Sequence, residues 1–204
     1  TTSTIVMAPI KKNTICAVDI SELLMAASTT LASGLSTAQL RGLTSAQLAS
    51  LGSDQAAALS STQVGALNSQ QLNGLSTDAV AALDSEDLNN ISNTVLKKLS
   101  TGFIAALSSD QVSNLTTTQL AALSTDQVRA LTAAQIESLT TAQITGLTET
   151  QIDALTSTQI KAIETADVAK LTAAQLQAIT TANVTKLTAD QIAALTTAQI
   201  SKLS

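Results

Sequence analysis

LTAAQIESLTTAQITGLTETQIDA, from Leu131 to Ala154, is three near-copies of one unit, Leu-Thr-x-x-Gln-Ile-x-x. Stepping by eight in both directions extends the pattern from Leu35 to Leu195 with no insertion or deletion. That gives twenty-one full octads. Slot 1 is Leu or Ile throughout, and slot 6 is always aliphatic, Ala56 being the smallest. Slot 2 is Ser or Thr in 17 of the 21, the exceptions being Gly52, Asn68, Asp84 and Glu164; slot 5 is Gln in 15.

Three regular structures compete for this pattern. A continuous α-helix drifts roughly 80° per octad, so the leucines would spiral around it and form no stripe. A strand would send slots 1 and 6, of opposite parity, to opposite faces, and Ala and Gln are weak strand formers. A short helix started afresh in every octad fits. Ser or Thr in slot 2 becomes the N-cap and Gln in slot 5 becomes N3, a capping box. Slots 1 and 6 then fall at N′ and N4, the hydrophobic staple pair.

Charge supports the same polarity. Within the octads, 11 of 13 acidic residues lie in slots 2 to 5, and all eight basic residues lie in slots 7 and 8. The helix macrodipole sorts charges in that direction.

Helices this short are unstable alone, because nucleation is unfavourable and propagation brief. Slots 1 and 6 must share a core with other repeats. Corners at every N-cap then give an all-α solenoid of short capped helices, one per octad. Three octads per coil is the smallest closed polygon, and its narrow centre suits six aliphatic side chains. Seven such coils at helix-packing distance would make a triangular rod about 60–70 Å long. The slot 5 glutamines would recur one above another, an arrangement expected to form hydrogen-bonded ladders of their side chains.

Two regions depart from the pattern. Residues 1–34, including the β-branched stretch STIVMAPIKKNTICAV (Ser3 to Val18) and the helix-like DISELLMAAS (Asp19 to Ser28), read as an N-terminal cap or docking segment ahead of the solenoid at 35–204. Between Leu75 and Ala106, slot 5 is Ala79, Asp87, Val95 and Phe103 in four consecutive octads. Drift accounts for this; an apolar interaction patch at Val95 and Phe103 is the alternative. The chain closes on Leu203-Ser204, the opening of another octad with no polar cap behind it. This implies either a piece of a longer array or a subunit that stacks on another. Ile5, Val6, Val95, Phe103 and Leu203 are accordingly the candidate self-association residues.

Composition excludes much chemistry. The chain of 204 residues has no His, one Cys (Cys16), one aromatic (Phe103) and a net charge of −5. The commonest general base is missing, and Cys16 has no His partner. The densest acidic group, Asp84, Glu86 and Asp87, is explained by the first-turn dipole. Neither an EF-hand loop nor a Gly-rich phosphate loop is present, so no cofactor, metal or small-molecule substrate is expected. Without a basic stripe, nucleic acid is not an expected partner. No apolar run reaches the roughly 20 residues of a membrane span. No signal peptide is visible from Thr1, consistent with removal of an upstream segment. An ice-binding face would need one side uniformly Thr in slots 3 and 4. The side that includes Thr37-Ala38, Ser85-Glu86 and Ala133-Ala134 is mixed, as are the other two.

Runs such as LTTAQITGLTETQIDALTSTQI (Leu139 to Ile160) resemble the octapeptide-repeat regions of very large bacterial surface proteins of adhesin-like type. The resemblance covers residues 35–204. It implies a secreted or surface-exposed structural region and supplies no catalytic or binding residues. The expectation is therefore a non-enzymatic structural protein outside the cell. It is read as a fibre subunit that polymerises with itself head to tail, with a passive stalk in a surface adhesin as the alternative. An ice-binding solenoid and an intracellular interaction scaffold rank lower.

Overall fold

The computed structural model describes residues 29–179 and 181–203. Ile5, Val6 and Cys16 lie outside the described residues. Among those described, every regular element is a short helix of four to six residues, and none is a strand.

Each α-helix begins where the octad says it should, directly after slot 2. Thr116 is extended (φ −66°, ψ 152°), and its hydroxyl accepts the backbone N–H of Gln119 at 3.2 Å. The Gln119 side chain reaches back to accept the Thr116 N–H at 3.0 Å. The preceding Leu115 is extended as well (φ −61°, ψ 140°). Two extended residues per octad, slots 1 and 2, therefore make each corner. The slot 1 N–H closes the previous helix with an i→i−3 bond, as in Leu123 N–H to Leu120 carbonyl at 3.1 Å.

The corners bring every third helix together. Ser61–Ala66 stacks on Thr37–Arg41, Thr125–Ala130 on Thr101–Ala106, and Glu149–Ala154 on Thr125–Ala130. One coil is thus three octads, and the molecule is a three-sided solenoid. Slots 1 and 6 fill its centre. Val64, Leu72, Leu120, Val128 and Ile152 in slot 6 are 0% exposed, while slot 1 leucines such as Leu43, Leu115 and Leu147 are 4% exposed. This continuous aliphatic column replaces the stability that short helices lack by themselves.

The register extends upstream of Leu35. Thr29–Gly34 is helical, and Ala32 falls in slot 6 and is buried at 3%. The corresponding slots 1 and 5 hold Ala27 and Leu31 instead of Leu and Gln, which hides this octad in the sequence.

Candidate functional site

The structure's most repeated chemical feature joins the coils. Carbonyls at a helix end keep acceptor capacity that the helix does not use, and here those ends are buried against the next coil. The slot 5 glutamine of the following coil meets them. Gln135 Nε2 donates to the carbonyls of Ile104 at 3.1 Å and Leu107 at 2.5 Å, while its Oε1 accepts the Thr132 N–H at 2.7 Å. Gln127 does the same with Leu96 and Leu99, Gln151 with Leu120 and Leu123, and Gln191 with Ile160 and Ile163.

One amide therefore caps the N-terminus of its own helix and the C-terminus of a helix one coil earlier. The glutamines do not bond one another, which corrects the side-chain ladder expected from their recurrence. Buried backbone carbonyls need donors, and both amide hydrogens are used there. These glutamines are 1–4% exposed from Gln63 onward through Gln191, yet no buried side-chain polar atom among the described residues lacks a partner.

The bridge has a direction. Each bridging glutamine donates its amide to the coil before it, and the carbonyls it meets belong to that earlier coil. Slot 7 sends a smaller set of bonds the other way. Arg41 Nε donates to the Ala66 carbonyl at 3.2 Å and Arg129 Nε to the Ala154 carbonyl at 3.0 Å. Ala66 and Ala154 are the last residues of their helices. These cations thus stand at helix C-termini, where the dipole favours them.

Where Gln is absent, the local structure changes. Asp167 is buried at 3% and accepts a bond from the Thr141 hydroxyl. Asn183 still reaches one carbonyl, Leu155, at 2.7 Å. Phe103 leaves the Ser100 N–H without its usual acceptor, and Asn73 from the coil below supplies one. Asn73 Oδ1 accepts that N–H at 2.8 Å, while its Nδ2 donates to the Lys98 carbonyl at 3.1 Å.

At Asp87 the helix itself tightens to a 3₁₀ turn, Asp87–Asn90, and Asp84 accepts the Glu86 N–H instead of capping a full helix. Burial raises the Asp87 pKa above its ordinary value, and the carboxylates of Asp84 and Glu86 add to the rise. An acid whose pKa is higher in the folded state is destabilising when ionised; this penalty is complete above the folded pKa and disappears below the unfolded one. Asp87→Asn is therefore expected to raise Tm at pH 7. The gain should shrink to nothing as pH falls below about 4, the ordinary carboxylate value. Thermal melts across that range check it.

Of the candidate self-association residues, Val95, Phe103 and Leu203 are described. Phe103 is 4% exposed and part of the core. Val95 and Leu203 are half-buried and packed against it. Phe103 and Ala79 do share a side, on the stacked helices Thr101–Ala106 and Thr77–Ala82. Reasoning on the octad alone missed the inter-coil role of slot 5. The available signal was the choice of amide over acid: a capping box accepts Glu as well as Gln, but slot 5 never holds Glu.

Among the described residues, no three His, Cys, Asp or Glu side chains are grouped to hold a metal, and no helix is long and apolar enough to cross a membrane.

A family model described as the ALTTAQ repeat matches residues 33–61, 80–117, 113–141 and 160–197, together more than half of the chain. A search of curated proteins gives no match.

Proposed function

The chain belongs to the ALTTAQ repeat family, and on that premise we propose that it is a non-enzymatic structural rod of the cell exterior, a fibre subunit that stacks head to tail. The observation that supports this reading is the two-faced coil. A glutamine-bearing coil carries donor amides on one face and acceptor carbonyls on the other, so it is complementary to another of its kind. The final coil of the described chain leaves its acceptor side uncovered. Ile192 and Ile200, both in slot 6, are 45% and 48% exposed, whereas Ile144, Ile152 and Ile160 in the same slot are 0–1% exposed. A further ALTTAQ coil is the surface that fits there.

A second reading supplies that coil from the same polypeptide, making the region a stalk of a longer bacterial surface protein. The resemblance of the octads to adhesin-like arrays favours it. Negative-stain electron microscopy across a concentration series separates the two. Filaments that lengthen with concentration, with an axial repeat near roughly 60–70 Å, are the expected result for a fibre subunit. Isolated short rods at every concentration would overturn it in favour of the stalk.

A further inference from the structure

The glutamine bridge is missing from one complete turn of the rod. Octads beginning at Leu75, Leu83, Ile91 and Leu99 hold Ala79, Asp87, Val95 and Phe103 in slot 5. By the spacing of the other bridges, 31 and 28 residues back, their acceptors would be the carbonyls of Leu48 and Leu51, Ala56 and Leu59, Val64 and Leu67, and Leu72 and Leu75. No amide from slot 5 reaches any of them. The two other non-Gln octads, at Asp167 and Asn183, are isolated from each other, and bridged octads flank each of them.

Packing holds this turn together instead. Ala56 and Ala79 are both 0% exposed, on the stacked helices Ser53–Ala57 and Thr77–Ala82. On the next side a Cβ added at Gly65 would lie 2.8 Å from the Asn90 carbonyl oxygen, so Ser61–Ala66 and the 3₁₀ turn Asp87–Asn90 approach at backbone distance. On the third side Val95 is half-buried in the slot, and the Asn73 amide crosses to the Lys98 carbonyl and the Ser100 N–H. Dispersion between such surfaces falls away within about 1 Å of separation.

In a solenoid, stability is close to a sum of repeat and nearest-neighbour terms, so a junction that keeps close packing but lacks the polar bridges marks a change of coupling between cooperative units. We propose that the junction beneath this turn is a built-in seam at which the rod opens, dividing it into a block ending near Gly74 and a block beginning at Leu75, the second block's own carbonyls being bridged onward by Gln111 and Gln119. The rod would then yield at one fixed place before it unravels, whatever role the rod serves.

Hydrogen exchange read by mass spectrometry in sub-denaturing urea tests this on the purified full chain. The seam predicts a step in protection: corner amides of the octads at residues 35–74 exchange roughly tenfold or more faster than those of the octads at residues 75–162. A smooth gradient from the ends, with no step near residue 75, would overturn it. Asp87→Gln with Val95→Gln places amides opposite Ala56, Leu59, Val64 and Leu67. It should slow seam exchange by roughly 10–100-fold, at a net contribution near that of one or two ordinary hydrogen bonds per bridge. If that variant does not fold, Gln127→Ala with Gln135→Ala supplies the reverse test. Removing two adjacent bridges there should create a second step between residues 96 and 135. If protection in that interval is unchanged, missing bridges do not make seams and the proposal fails.

Discussion

Replacing Gln127, Gln135 and Gln143 together by Ala is expected to lower unfolding free energy by about 6 kcal/mol, taking about 2 kcal/mol for each buried polar site left unpaired. That is comparable with the whole stability of an ordinary domain, so the variant should melt tens of degrees lower or fail to fold. The three residues supply every slot 5 bridge of one turn. Their Nε2 groups serve the carbonyls of Leu96 and Leu99, Ile104 and Leu107, and Val112 and Leu115. The acceptors are buried behind the coil above, where water cannot replace the lost amide. Urea denaturation followed by far-UV circular dichroism measures the loss. A change below about 1 kcal/mol would mean that the amides follow the fold without supporting it.

A single Gln135→Glu variant separates the two halves of the bridge. A carboxylate still accepts the Thr132 N–H, now 2.7 Å from Gln135 Oε1, and an acid at N3 suits the helix dipole. On capping grounds alone the change is harmless. The inter-coil half is the opposite case, because a carboxylate oxygen would face the Ile104 and Leu107 carbonyls with no hydrogen to give. Protonation would restore one donor, so the pKa of the introduced carboxyl must rise in the folded state. Its ionisation is then destabilising, and stability should fall as pH increases through that raised pKa. Thermal melts against pH check this: the variant should match the parent most closely in acid and diverge from it at pH 7.

This contrast also explains what the octad revealed and what it concealed. Helix starts, corner positions and the aliphatic centre are local or steric properties, carried by Thr in slot 2 and by Leu and Ile in slots 1 and 6. Three octads per coil followed from the volume of those side chains. The partners of slot 5 are set by stacking, which places Gln135 beside Ile104 only after four corners have been turned. Local reading of Gln saw its Oε1 role and sent the Nε2 group to neighbouring glutamines, where it meets backbone carbonyls instead. Asn73 is a sharper case: its bond to the Ser100 N–H exists because Phe103 has removed a neighbour's acceptor. The octad containing Thr29–Gly34 lacks the sequence signature because Ala27 and Leu31 stand where it has Leu and Gln.

Replacing Thr132, Thr140 and Thr148 by Ala should cost about 3 kcal/mol, at about 1 kcal/mol for each N-cap. The three hydroxyls accept the N–H groups of Gln135, Gln143 and Gln151 at 3.2–3.3 Å. All three threonines are exposed, so water takes part of the vacated role, and the loss per residue should be smaller than for the buried glutamines. The corresponding Ser variants keep the oxygen and should stay within about 0.5 kcal/mol of the parent, since Ser and Thr rank close as N-caps. If the Ala and Ser sets melt alike, the hydroxyls are incidental. Each helix start would then rest on the aliphatic staple and the glutamine side chain alone. A loss confined to the Ala set would establish that every octad restarts its helix chemically, through slot 2, before stacking fixes it in place.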